Sequence, residues 1–465
     1  MRHYLIICLC ISLLSIPSYG QSDEDAFEIK EMMNMALTKG KGYDWLTYIT
    51  TKIGGRLSGT PQAAAAVEYT RQMLNTMGLD TVWLQPCMVP HWVRGEKEVC
   101  RVVNSKSMGS FDLNVLALGN TEGTGVNGVT AEVIEVKSLE EVEKLGRANI
   151  EGKIVFYNRP MDATQINTFA AYSGAVDQRV YGAAIASNFG AVAAIVRSMT
   201  LKQDDVPHTG VSSYGRLEKG AKPIASVAVS TNDADKLSQL LKQDESVRVY
   251  LRTTSYMSTP KLSHNVIGEI RGSEFPDEII LVGGHLDSWD IGTGAHDDGA
   301  GCVQSMDVLY LMKQMNYKPK RTIRCVLFMN EENGQEGSVA YANESNKKGE
   351  FHLAAMESDR GGFTPRGFTA DADAAVFVEK FKKLVKWSTL FRPYGMDFSK
   401  GGSGADVSRL KSQKGLLLGF LPDSQRYFDH HHAPNDTIDT VNKRELQFGA
   451  GAMLSLVYLL DQYGL

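Results

Sequence analysis

From residue 265 onward, apolar runs alternate with helical patterns, and three of the runs lead into side chains that can hold a metal. Residues 278–282 run into Gly283-Gly284-His285-Leu286-Asp287, residues 322–328 lead to Glu331-Glu332, and residues 353–356 lead to Glu357-Ser358-Asp359. Helical patterns cover residues 299–315, 375–387 and 443–463, with a further strand at 415–420. Strands interleaved with helices predict an α/β sheet. In such sheets ligands gather beyond the carboxyl ends of the strands, so residues distant in sequence converge on one edge. Two more polar clusters fall at the same edge: Asp297-Asp298-Gly299, in a glycine-rich loop opening the helix at 299–315, and His430-His431-His432-Ala433-Pro434-Asn435-Asp436-Thr437, after the strand at 415–420.

Each cluster has an ordinary structural explanation. A histidine at a strand end is commonly a rim residue, paired aspartates before a helix are commonly a cap, and paired glutamates or a histidine run are commonly solvated loop. Together they place two histidines and at least three carboxylates at one edge, which those explanations do not account for. In a strand, residues two apart share a face, so Asp287 is expected to orient the His285 imidazole. Glu331 and Glu332 are expected to point to opposite sides, one toward a metal and the other toward substrate. Imidazole nitrogen and carboxylate oxygen are zinc donors, and this inventory fits two zinc ions bridged by one carboxylate.

The rest of the chain frames this site. A net charge of −5 argues against a nucleic-acid binder. Hydrophobic residues at 43% and charged residues at 22% exclude a disordered chain. Residues 1–20 combine a basic start, a short apolar run and small residues near Ser18 and Gly20, the pattern of a secretory signal cleaved after Gly20. That apolar run is short for a membrane anchor, so a secreted or periplasmic mature chain with no membrane segment is expected. Of the remaining cysteines, Cys87 and Cys100 flank a possible hairpin and could pair, whereas Cys302 and Cys325 fall in core patterns and are expected to be buried free thiols. Helices are predicted at 24–37, 43–52 and 61–77, and strands at 81–92, 98–103 and 113–118. Between 129 and 255, short apolar runs and two helical stretches form an α/β module of their own.

The ordered set of motifs resembles the co-catalytic dizinc exopeptidases, the group of the bacterial leucyl aminopeptidases and carboxypeptidase Q. It consists of Gly283 to Asp290, Asp297-Asp298-Gly299, Asn330-Glu331-Glu332, Met356 to Asp359 and His432 to Thr437. Upstream, Pro90-His91-Trp92-Val93-Arg94-Gly95 and Pro207-His208-Thr209-Gly210 resemble the same group. The resemblance implies a mixed sheet flanked by helices, with a catalytic domain formed by residues 21–120 and 256–465 and interrupted by a protease-associated insertion at 121–255. It implies two zinc ions per chain, with Asp297 bridging, His285 and Asp359 completing one site, and Glu332 and His432 the other. Glu331 would be the general base and acid, and the Asp297–Asp298 peptide would be cis. His430 and His431 would be loop or pocket lining, and His208 could reach toward substrate or a partner subunit. Asn330 and Ala433 depart from the group's usual residues without removing a ligand. The expected substrates are dipeptides or the N-termini of short peptides, and the resemblance suggests a homodimer. Two other readings compete: a glutaminyl-cyclase-like one-zinc transferase, and a receptor-like relative without catalysis.

Overall fold

The structure, a computed structural model, describes residues 23–465. The secretory signal expected at residues 1–20 lies outside the described residues. The helix Asp23–Lys39 is followed by Gly42–Tyr48 and by Pro61–Thr76, whose first turn is set by the Thr60 hydroxyl accepting the Ala63 N–H and by Pro61. Strand β1 (Thr81–Val93) then starts one sheet, and the chain leaves it to build another.

That second sheet holds β2 (Val99–Ser105), β3 (Gly109–Asp112), β4 (Val115–Ala117), β5 (Val129–Val136), β6 (Ile154–Tyr157), β7 (Ala193–Arg197), β8 (Ala225–Val229) and β9 (Arg248–Arg252), in the order β3-β2-β9-β5-β6-β7-β8-β4. It reaches further upstream than residues 121–255. Of the strands expected with the first part of the catalytic domain, β2 hydrogen-bonds to β9 and β4 to β8 instead, and β3 to β2. A strand's partner is a tertiary choice that its own residues do not carry. Cys87 and Cys100 therefore sit in different sheets, and both are buried free thiols, as are Cys302 and Cys325.

The chain returns with β10 (Tyr256–Ile270), β11 (Phe275–His285), β12 (Arg321–Phe328), β13 (Phe351–Glu357), β14 (Pro365–Asp371), β15 (Asp397–Lys400) and β16 (Leu416–Pro422), giving the mixed order β1-β10-β12-β11-β13-β16-β14-β15. The mixed sheet flanked by helices expected from the sequence is the one found. Alternate residues of its central strands bury into opposite faces. Ile280, Val282, Ile323, Cys325, Leu416 and Leu418 join the core formed with helices Ala300–Gln314 and Lys443–Tyr463. Leu281, Val326, Ala355 and Leu417 face Tyr341 and Ala342 of helix Glu336–Lys348. No helix among the described residues is long and apolar enough to cross a membrane.

Candidate metal centre

Strands β12, β11, β13 and β16 are neighbours, and the three pairings among them are parallel, so their carboxyl ends form one edge. Their registers align there: His285 is level with Phe328, and Glu357 is level with both Gly283 and Gly419. This edge carries every residue expected to hold metal or act as the base. His285 ends β11, Asp297 precedes helix Ala300–Gln314, Glu331 and Glu332 follow β12, Asp359 follows β13, and His432 follows β16. The Asp297–Asp298 peptide is cis.

Asp297 lies at the centre of two donor groups. Its Oδ1 is 3.2 Å from His285 Nε2, which is 3.5 Å from Asp359 Oδ1. Its Oδ2 is 3.3 Å from His432 Nε2, which is 3.1 Å from Glu332 Oε2. Among the described residues, two clusters have donor atoms close enough to share an ion: His285–Asp297–Asp359 and Asp297–His431–His432. Asp297 Oδ2 and Asp359 Oδ1 are buried and accept no hydrogen bond. Burial, and then the charge of Asp297, raises Glu332 well above the ordinary carboxyl range, and burial raises Asp359. Burial also works against the His285 imidazolium, but Asp359 and Asp297 outweigh it and hold its pKa high. Crowded carboxylates with unspent oxygens and converging imidazole nitrogens suit a divalent cation of zinc's donor preference.

The backbone around several donors is anchored from other segments. Asp436 accepts the His296 N–H at 2.8 Å and the Asp297 N–H at 3.1 Å. Asp298 accepts the His285 N–H at 3.0 Å. The buried Arg56 guanidinium donates to the carbonyls of Leu286, Thr293 and Gly294. Asp287 differs from the expectation. β11 ends at His285, so the strand rule stops applying, and His285 Nδ1 meets the Asp287 backbone carbonyl at 3.0 Å while the carboxylate stays 3.9 Å away. That carboxylate instead accepts the N–H groups of Asn330, Glu331 and Glu332, at 2.6, 3.1 and 3.4 Å. Asn330 takes a left-handed conformation (φ 73) and its amide bonds Ser58 and Asn333, which completes the turn.

A cavity of about 610 Å³, a size suited to a small ligand, opens over this edge. Glu331, half-buried, lines it with Asp297, Glu332, Asp359 and His432. Its other wall comes from the second-sheet unit, including Phe169, Tyr172, Arg179 and Ser212. These residues carried no chemical signal in the sequence. His431 also lines the cavity, stacked on His432 with ring centroids 3.5 Å apart, while His430 stacks near His296. His208 does not reach the cavity: it is buried, with Nδ1 2.7 Å from the His431 carbonyl. Next to it, the Thr209 N–H donates to the His432 carbonyl at 2.9 Å, and the Thr209 carbonyl lies 3.3 Å from His432 Nδ1. The upstream motif meets the β11 motif: Arg94 pairs with Asp290, and Trp92 packs edge-on to Trp289.

Known proteins share this fold. Residues 265–457 match peptidase family M28. Carboxypeptidase Q of Bos taurus is 32% identical over 436 residues, covering 93% of this chain and 88% of its own. The crystal structure of a peptidase M28 precursor from Shewanella amazonensis aligns with a TM-score of 0.87 at 31% identity, covering 94% of this chain and 97% of that one. A zinc aminopeptidase from Bacillus subtilis has the same fold, with a TM-score of 0.60 at 20% identity, covering 90% and 94%. The fold, the donor set and these relatives define a zinc metallopeptidase. The chain belongs to peptidase family M28.

Proposed function

We propose that the protein is an exported exopeptidase with two zinc ions that removes the N-terminal residue of short peptides, dipeptides included. The observation that carries this reading is the pair of donor groups sharing Asp297, one oxygen to each, with Glu331 on the adjoining cavity wall. His285 and Asp359 would hold one ion, Glu332 and His432 the other, and Asp297 both. When bound, such ions polarise the scissile carbonyl and acidify water. Glu331 takes the proton of the attacking water and delivers it to the leaving amine. Burial, with the charges of Asp359, Asp406 and Asp287 adding to it against the pull of His285, pushes the Glu331 carboxyl up to about 8. A pKa near the working pH suits a group that must both accept and release a proton. Asp287 contributes by holding the turn that presents Glu331 and Glu332. The second-sheet unit takes the part of a protease-associated insertion, closing the cavity from the side opposite the donors. The basic, apolar and small-residue pattern of residues 1–20 supports export.

The test combines metal content with turnover on a dipeptide panel. Removing metal with a chelator should abolish hydrolysis, and two zinc equivalents should restore it; restoration by one would favour a one-metal mechanism. Glu331→Gln should keep its zinc and lose about 10²- to 10⁴-fold in kcat. Turnover preserved in that variant would remove Glu331 from the chemistry.

A further inference from the structure

Arg179 stands out among the cavity residues because no charge among the described residues pairs with it. It projects from helix Asp177–Asn188 of the second-sheet unit and is only 4% exposed, yet its Nε has no hydrogen-bond partner. Its polar neighbours are His432 Nδ1, 3.3 Å from Nη1, and the hydroxyl of Tyr172, whose ring it overlies at 5.5 Å. Among the described residues no carboxylate pairs with it. A guanidinium stays protonated, so this is a permanent positive charge withdrawn from water.

The histidine does not satisfy it either. His432 Nδ1 also lies 3.3 Å from the Thr209 carbonyl, which can only accept. When Nε2 is the lone-pair nitrogen facing Glu332 and Asp297, the ring proton is on Nδ1, where it serves Thr209 and leaves no lone pair for Arg179. In the tautomer the metal centre needs, the guanidinium, which lines the cavity, therefore has donors to spare. Phe169, Tyr172, Tyr427, Phe428 and His431 pack ring against ring along the same cavity, and such an apolar wall strengthens any charge pairing made there.

We infer that Arg179 is the receptor for the free α-carboxylate of the residue that follows the scissile bond. This inference rests on the exopeptidase reading above and narrows it to substrates two residues long. A planar five-donor fork matches a carboxylate in two parallel hydrogen bonds. The placement sets the length: Arg179 and the Glu332–Asp297 carboxylates contact opposite nitrogens of one imidazole ring. One residue spans about 3.8 Å between Cα atoms. A dipeptide whose carbonyl lies at the metal group thus brings its own carboxylate to Arg179. A tripeptide brings a neutral amide there and carries its carboxylate one residue beyond.

The experiment compares kcat/KM for alanyl-alanine and for its C-terminal amide, with zinc content measured in parallel. Wild-type enzyme should prefer the free acid by about 100-fold, the scale of a charge-assisted pair. Arg179→Gln should collapse that preference to a few-fold, and Arg179→Lys, which keeps charge without the fork, should fall between. The ratio is the readout, because a merely structural role would lower both rates together and leave the preference intact, and that result would overturn the inference. Equal wild-type rates on acid and amide would overturn it without any variant. Zinc-loaded enzyme that cleaves neither compound would instead refute the exopeptidase reading itself.

Discussion

Replacing Gly210 with alanine tests how the second-sheet unit and the metal group are joined. Gly210 has φ +136, a region side chains rarely enter, and a Cβ there would fall 2.4 Å from Arg179 Nη1 and 2.7 Å from His432 Nδ1. Neither neighbour retreats freely. Arg179 is almost wholly buried, and His432 is held by Thr209 on its backbone and by the His431 ring on its face. The backbone conformation alone costs about 1–3 kcal/mol. Displacing the imidazole also breaks its contact with the Thr209 carbonyl, and loss of such an orienting partner weakens metal affinity about 10- to 100-fold. Gly220→Ala separates the two effects, since Gly220 has φ +97 but open space around the added Cβ. Both variants should lose unfolding free energy in urea. Only Gly210→Ala should weaken zinc, and only at the class of site served by His432, as read by competition with a chromophoric chelator. Unaltered zinc affinity in Gly210→Ala, with stability lowered as in Gly220→Ala, would refute the coupling.

Acid should unfold the protein through its buried neutral histidines. Burial lowers His208 to about 4, His296 to about 3 and His352 to about 4. The unfolded chain, with histidines near 6.5, then takes up protons first, so their contribution is fully present above about pH 6.5 and is lost as pH falls toward 4. A shift of that size corresponds to about 3 kcal/mol for His352. Urea titrations between pH 7 and 4.5 should show the loss, and His352→Gln should remove its share of it, leaving that of His208 and His296. Phe368→Ala should cost about 3–5 kcal/mol, because its fully buried ring packs among Phe391, Phe398 and Phe420. Its zinc content and kcat should not change, since none of these rings lines the cavity.

Much of this was legible because the central strands are buried on both faces and so read as unbroken apolar runs. The closing helix Lys443–Tyr463 was legible to the residue from its helical pattern. Strand β10 was not, because its first seven residues are mostly exposed and carry no run. Helix Glu336–Lys348 buries five small or aromatic residues in thirteen, too sparse a stripe to announce itself. At the site, the donors were legible because each sits at an element boundary in a chemically distinctive pair. Arg56, Tyr172 and Arg179 were not, since nothing local distinguishes a buried cavity arginine from a surface one.

Asp287 shows why the supports of a site are harder to read than its donors. Its distance from His285 suggested one partner, but the strand ended two residues too early, and the carboxylate went to the turn carrying Glu331 and Glu332. The same logic recurs at other donors. Asp436 holds the amide of Asp297, Arg56 spans the carbonyls of residues 286 to 294, and Thr209 fixes both ends of His432. Each of these anchors comes from a segment other than that of the group it holds, and Thr209 comes from the second-sheet unit. Donor spacing therefore identifies the chemistry, whereas its precision depends on contacts that exist only once both sheets are in place. A second-sheet unit that sets the tautomer of one candidate ligand and supplies the cavity's unpaired cation is part of the active site, and its removal should cost zinc affinity as well as substrate selection.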